Sequence, residues 1–411
     1  MNQNTIYIIG AGVSGLIAAY ELEQAGHKPI IIEQADDVGG RVKTLHRNGY
    51  PLDFGFQVLL SAYPLANQYL DMDALKLQKL ESGALIYANG QSYQIGDPLR
   101  NWKVLLPTLL ANVGSIGDKL KILKLNNRLK QKSLEEIFET PETTTHAYLE
   151  NFGFSDKIIQ RFFRPFFAGI FLEPDIRTSS RMFEFVYKMF GEGYATVPRD
   201  GIGAISAQLK GKLKNTEFRF NTEVSEVTND QILLKTGEKF DHGGTIITGN
   251  ASALIHNMRN QETEWKSCLC LYFEVDKTNI PEHTIALVAD SGNLSNNLYA
   301  YTDNKSGKNI LSVTALEYDG KTNQEMVERI TKEVRQFTGA RQVTHIESFQ
   351  IDQALPDIQN LHMTAEPSES KLADNIFLAG DYLFNGSLNA AMESGRLAAQ
   401  GILENSEKFP W

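Results

Sequence analysis

Six residues near the start of the chain, Gly10-Ala11-Gly12-Val13-Ser14-Gly15, constrain its fold more than any other stretch. They spell G-x-G-x-x-G. Before them, Thr5 to Ile9 is an apolar run that reads as a short buried strand. After them comes a helical pattern through Leu16, Ala19, Tyr20 and Leu22, then a turn at Gly26. Pro29 to Ile32 reads as a second strand, with the proline at its tolerated first position. That strand ends at Glu33, 23 residues after Gly10. Each part has a physical task in holding a dinucleotide. Gly10 permits the tight turn, Gly12 lets backbone approach a pyrophosphate, and Gly15 lets helix and strand pack closely. Val13 and Ser14 begin the helix, whose free N–H groups point at the phosphates. Glu33, with Gln34 beside it, is placed to accept hydrogen bonds from a ribose, and its carboxylate would repel a 2′-phosphate.

The rest of the chain bounds what such a unit can belong to. At 411 residues the chain is too long for one compact core. The formal net charge of -10 argues against a nucleic-acid partner. The two cysteines, Cys268 and Cys270, exclude a disulfide-framed fold and are too few for a zinc site. A reducing, cytoplasmic setting is expected. Ile6 to Tyr20 is apolar but lacks the preceding cations of a secretory signal. No run is long enough to span a bilayer. Against the acidic total, Lys119, Lys121, Lys124, Arg128, Lys130 and Lys132 form a basic cluster. It follows Trp102, Leu105, Leu106, Leu109 and Leu110 within residues 99–132. A solvated helix face and an interfacial membrane anchor both fit this pattern.

Shortly after the second strand comes Val38-Gly39-Gly40-Arg41-Val42, and then Asp53-Phe54-Gly55-Phe56-Gln57. Phe220 to Val227 and Gln231 to Phe240 read as a β-meander, and Thr245 to Asn250 as a strand leading to a glycine. Near the end, Asn375 to Asp381 (NIFLAGD) is a buried strand closing on Gly380-Asp381, and a helix begins near Leu388. Together these segments resemble the flavin-containing amine oxidase superfamily, which includes monoamine oxidases, protoporphyrinogen oxidases and carotenoid desaturases. The resemblance implies FAD. It places Gly39, Gly40, Arg41 and Val42 at the pyrophosphate and ribityl chain, with the Arg41 cation offsetting phosphate charge. It puts Gly55, Phe56 and Gln57 along the flavin ring, and Val224 at the adenine. Asp381 falls near the ribityl phosphate, and Ser387 and Leu388 where the last helix starts at the flavin pyrimidine. Gln57 reads equally as a polar strand end.

The implied fold class is α/β. A discontinuous Rossmann-like FAD-binding domain of the GR2 type would comprise residues 1–75, 200–260 and 365–411. An inserted α+β substrate domain would take 76–199 and 261–364, largely helical near 98–195.

The substrate is less legible. Ser387 stands where monoamine oxidases carry one wall of an aromatic amine cage, so a simple amine is disfavoured. No cysteine lies in 340–411, so a non-covalent FAD is expected. Lys266 is one residue out of register with the lysine many amine oxidases place over the flavin, which on a strand reverses its face. A surface lysine is the expectation, and Cys268 and Cys270 read as buried small residues. The segment from Arg164 to Phe171 (RPFFAGIF) and the last helix resemble protoporphyrinogen oxidases and desaturases more closely. Residues 160–190 are dense in aromatics, which suits either a helical core or a pocket for a flat substrate. The expected function is oxidation of a largely apolar cyclic or polyene substrate by hydride transfer to flavin N5, with oxygen or a quinone as final acceptor. The flavin does the redox chemistry, so no catalytic side chain is assigned. The alternatives are an amine oxidase with a different cage and, on the same fold, a non-redox binding protein of the Rab GDP-dissociation-inhibitor kind.

Overall fold

In a computed structural model, the protein is described over residues 5–96, 111–258, 262–316 and 324–408. Trp102, Leu105, Leu106, Leu109 and Leu110 lie outside the described residues. The elements that position the site are, in chain order, β1 (Ile6–Ile9), α1 (Val13–Gln24), β2 (Ile30–Ile32), β3 (Gly83–Ala88), β4 (Gln91–Gly96), α2 (Ile116–Gln131), α3 (Arg164–Phe171) and α4 (Ser180–Glu192). They continue with β5 (Glu217–Arg219), β6 (Gly244–Ile247), β7 (Trp265–Val275), β8 (Ile285–Val288), β9 (Ser295–Thr302), β10 (Asn309–Ala315), α5 (Gln324–Thr338), β11 (Val343–Pro356), β12 (Lys371–Ala373), β13 (Ile376–Leu378) and α6 (Leu388–Lys408).

Two sheets organise the molecule. The first runs β5-β2-β1-β6-β13-β12. Five of its strands are parallel, and β12 closes the edge antiparallel to β13. These strands come from three distant stretches, because a parallel sheet needs long crossovers between neighbours. β1 is buried at every position, as its unbroken apolar run requires. The sequence reads Phe220 to Val227 as one strand of the meander. Instead, Glu217–Arg219 joins the parallel sheet beside β2, and Val224–Val227 starts a separate three-stranded sheet. Asn221, at φ +52°, turns the chain between them.

α6 crosses α1 at backbone contact. A Cβ on Gly395 would lie 2.2 Å from the Ser14 carbonyl oxygen, so only glycine lets the helices approach this closely. Ser394 Oγ also accepts from Gly380 N at 2.9 Å, which ties the last strand–helix turn to the same corner. The first and last motifs of the chain are thereby brought together.

The second sheet runs β11-β7-β10-β9-β8-β3-β4 and is antiparallel except at β8 and β3. Successive residues of its strands point to opposite faces, and both faces of the central strands are covered. Leu271, Phe273, Leu298, Leu311 and Val313 pack against Ile330, Val334 and Phe337 of α5. The intervening residues of β7 to β10 lie on the opposite face, toward α3.

Candidate active site

A cleft of roughly 1920 Å³ runs between the two sheets. Its walls bring together Gly10, Gly12, Val13, Ser14, Glu33, Gln34, Gly39, Gly40, Arg41, Val42, Gly55, Phe56, Gln57, Val224, Gly380, Asp381, Ser387 and Leu388. Of the residues expected at the cofactor, Gly15 alone is not in the wall. Its missing side chain serves packing, since a Cβ there would sit 2.1 Å from the Gly10 carbonyl oxygen.

Gly12 is the opposite case. It precedes α1 at φ -71° and ψ 177°, a conformation open to any residue, and its Cβ would meet nothing within 4 Å. The space it leaves opens onto the cleft, at the end of a helix whose first N–H groups lack intrahelical partners. Gly39 N donates to Ala11 O at 2.9 Å and so lays the Gly39-Gly40 loop beside this turn. Glu33 is held in a fixed orientation: its carboxylate accepts from Ala11 N at 2.7 Å and Ala35 N at 2.8 Å.

Arg41 and Asp381, from opposite ends of the chain, form a two-pronged ion pair with Nη1–Oδ2 at 3.0 Å. Asp381 is almost fully buried, whereas Arg41 remains partly exposed to the cleft. The guanidinium also lies 5.0 Å from the centre of the Trp265 ring. Gln57 is not a strand end: it lies in the loop between the strands Tyr50–Asp53 and Leu59–Leu60. It lines the cleft, but its amide donates to Arg41 O at 2.8 Å and Phe54 O at 3.0 Å, so it braces the Arg41 loop.

Ser387 caps α6. Its Oγ accepts from Ala390 N at 3.0 Å and donates to Asn385 Oδ1 at 2.7 Å. The amides of Leu388 and Asn389 find no acceptor among the described residues, so the helix presents free donors where it meets the cleft. Tyr382 also lines the cleft, with a hydroxyl that is buried and unpartnered. The open space above Gly12 and this orphaned hydroxyl both fit a large polar cofactor.

Lys266 departs from expectation. It is neither a surface residue nor part of the cleft wall. Its ammonium pairs with Glu173 at 2.9 Å, donates to Thr178 Oγ1 at 2.9 Å, and its side chain is 11% exposed. A cation this buried must be paired, and Glu173 supplies the charge from the turn after α3. Cys268 and Cys270 are buried as expected, and Cys268 edges the cleft. Burial pushes the Cys268 thiol up to about 12, with the neighbouring Cys270 adding to the shift.

The aromatic stretch divides by helical period. Phe166 and Ile170 on α3, and Met182, Val186 and Phe190 on α4, face the cleft at spacings of four. Phe163, Phe167, Phe171, Phe183 and Phe185 point away and are fully buried in the main core. The cleft wall drawn from residues 76–199 and 261–364 holds one ionised side chain, the exposed Asp352, among the described residues. The other charged wall residues, Arg41 and Asp381 included, come from 1–75, 200–260 and 365–411. Sequence reading missed Thr248, Tyr382 and the polar pair Asn297 and Thr314. That the last two stand opposite each other is seen in the strand register.

The profile of the family described as flavin containing amine oxidoreductase matches residues 13–403. The chain belongs to this family. Membership implies a flavin cofactor for the cleft. An L-amino-acid oxidase from Naja atra is 29% identical over 155 residues, covering 36% of this chain and 29% of that protein. The match thus spans under a third of the length of that curated relative. Among solved structures, putrescine oxidase bound to putrescine is similar over 98% of this chain and 99% of its own, at TM-score 0.70 and 15% identity. An Exiguobacterium protein provisionally described as a protoporphyrinogen oxidase is similar over 98% of this chain and 100% of its own, at TM-score 0.71 and 17% identity. At these identities the likeness shows the fold: a Rossmann-like FAD domain joined to a substrate domain.

Proposed function

We propose that the cleft binds FAD non-covalently and that the protein oxidises an uncharged, largely apolar substrate by removing a hydride from it. The observation that carries this reading is the segregation of charge along the cleft. The three stretches assigned to the FAD domain, 1–75, 200–260 and 365–411, supply the ionised walls, the helix N-termini and the glycine turns. The stretches assigned to the substrate domain supply apolar surface from α3, α4 and β8, with no buried ion in the wall. A protonated amine would enter without a carboxylate partner, and an amino acid would strand its carboxylate as well. Either costs several kcal/mol, by order of magnitude, in a dry pocket.

When bound, the flavin supplies the acceptor for the substrate's hydride, and oxygen or a quinone takes the electrons onward. The chain's own residues do the rest. Gly10, Gly12 and the α1 N-terminus receive the pyrophosphate, and Glu33, already oriented by two amides, receives the ribose. Asp381 holds the Arg41 guanidinium in the cleft. The α6 N-terminus is where the wall best tolerates added negative charge, because Ser387 leaves two amides free. Phe166, Val186 and Phe190 exclude water from the reacting end. Anaerobic bleaching of the flavin against porphyrinogens, carotenoid precursors and amines tests the reading. Bleaching by simple amines alone, or a purified protein that takes up no FAD, overturns it. Flavin that stays with acid-precipitated protein refutes non-covalent binding.

A peripheral membrane contact is part of the same proposal. On α2, Ile116, Leu120 and Leu123 are 72%, 62% and 44% exposed at spacings of four and three. Lys119 and Lys130 rise on one side of this stripe, and Lys124 and Arg128 on the other. Apolar contact rimmed by cations suits an anionic lipid surface. Among the described residues no helix is long and apolar enough to cross a membrane. Flotation with phosphatidylglycerol vesicles should recover the wild type and not Leu120→Ser with Leu123→Ser. Equal recovery of both refutes the contact.

A further inference from the structure

Across the sheet, Leu287 of β8, Asn297 of β9, Thr314 of β10 and Cys270 of β7 stand directly opposite one another in register. Residues in such a row share one face, here the face toward the cleft. Two of the four are polar. Asn297 and Thr314 line the cleft and are each 5% exposed. Their neighbours in the wall are Phe166, Gly169 and Ile170 from α3 and Leu287 from β8. An amide and a hydroxyl set into an apolar wall are costly unless something uses them.

The hydrogen bonds around Asn297 fix its orientation. Asn296 Nδ2 donates to Pro165 O at 3.2 Å, and a carbonyl can only accept. The same nitrogen donates to Asn297 Oδ1 at 3.1 Å, so that atom is the acceptor. Asn297 Nδ2 is therefore the donor, and it reaches Thr314 Oγ1 at 3.3 Å. That account leaves two protons over: the second amide proton of Asn297 and the hydroxyl proton of Thr314. Neither finds an acceptor among the described residues. Gly169 keeps the arrangement possible, since a Cβ there would lie 2.8 Å from both Asn296 Nδ2 and Asn297 Oδ1.

We propose that Asn297 and Thr314 form a specificity site that donates to a single uncharged acceptor, a carbonyl, ether or heteroaromatic ring atom, on an otherwise apolar substrate. The inference rests on the proposed function and sharpens it, by naming the one polar group the substrate carries and its sense. A donor-only group such as an ammonium would leave both protons unpaired and gain nothing from them. A pure hydrocarbon would do the same.

The test compares two bicyclic probes of one skeleton, 1-tetralone with its carbonyl and tetralin without it. Each is titrated into flavin-loaded protein, and binding is read by calorimetry and by the shift in unfolding temperature, with no turnover required. Wild type should prefer tetralone by about 3- to 10-fold, the range one neutral hydrogen bond supplies. Thr314→Val and Asn297→Leu should each erase that preference while keeping tetralin affinity, and Thr314→Ser should retain it. No preference in wild type, whether both probes bind equally or neither binds, overturns the proposal. So does a preference that survives both Thr314→Val and Asn297→Leu. Absence of bound flavin before any probe is added is instead the failure of the functional reading, so the two are distinguishable.

Discussion

Gly12 and Gly15 stand three residues apart in one motif, yet a methyl group should do opposite things at the two positions. At Gly12 the added Cβ meets nothing within 4 Å, and the backbone is at ordinary negative φ. Gly12→Ala therefore adds no clash. The narrowing of the unfolded ensemble, about 0.4–1 kcal/mol in favour, roughly offsets a small loss at a helix N-cap. Stability without cofactor should change by under about 1 kcal/mol. On the proposed cofactor placement, the same methyl fills the space through which backbone amides reach the pyrophosphate. Displacing the phosphates weakens one or two charge-assisted hydrogen bonds of about 1.5–3 kcal/mol each, so FAD affinity should fall about 10²-fold or more. At Gly15 the Cβ would sit 2.1 Å from Gly10 O and 3.3 Å from Ile8 Cγ2, both fixed. Gly15→Ala should cost about 2–4 kcal/mol of apoprotein stability, as overpacking against backbone does. Urea unfolding of the cofactor-free proteins and quenching of FAD fluorescence separate the two effects. If Gly12→Ala binds FAD like wild type, the α1 turn is not the pyrophosphate cradle. A Gly12→Ala apoprotein destabilised as much as Gly15→Ala would show that the cleft is not open there.

Three further outcomes follow from the same structure. Burial raises the Asp53 carboxyl to about 6, against hydrogen bonds from Thr44 and the Ile202 amide that lower it. A raised folded value means that its contribution is full below about 4 and lost as pH climbs through 6. Both of its donors use Oδ1, so Asp53→Asn keeps them and should gain about 1–3 kcal/mol on wild type between pH 4 and 7.5. A stability difference flat with pH would count against this. Arg41→Met should destabilise the apoprotein by about 1–3 kcal/mol by leaving Asp381 buried and unpaired, and adding Asp381→Asn should restore much of that; strict additivity in the double-mutant cycle would mean no coupling. Cys268 and Cys270, whose thiols burial pushes to about 12 and 11, should resist a disulfide reagent at pH 8 and react fully in guanidinium, so rapid native labelling refutes their burial.

What the sequence made legible was local. The strand, glycine turn and helix from Ile6 to Gln24 are set by neighbours within a few residues, as is the closing strand at Gly380-Asp381 with its helix from Leu388. The partners missed are distant in sequence. Glu173 lies 93 residues from Lys266, and a one-dimensional reading had no cause to bury that lysine. The strand at Glu217–Arg219 is too short to announce itself, and it joins the sheet only because β2 is already there. The aromatic stretch held a signal that went unread. Met182, Val186 and Phe190 repeat every four residues and so share one helix face, which separates cleft from core. In β10 the same kind of signal sits at period two: Ile310, Ser312 and Thr314 alternate with Leu311, Val313 and Ala315.

That alternation bears on how one cleft can serve two kinds of ligand. A dinucleotide demands charges, free amides and close backbone approach, and these come from turns and helix ends, where unpaired groups exist by geometry. An apolar substrate demands a dry surface, and this comes from sheet and helix faces, where the backbone is already satisfied. On the proposed function, the chain meets both needs by lining one cleft with the ends of its first sheet and the face of its second. A polar residue on that face, such as Asn297 or Thr314, then cannot be a by-product of the backbone. It stands there at a cost in desolvation, and a substrate acceptor that offsets the cost is the simplest physical reason for both side chains to occupy one cross-strand row.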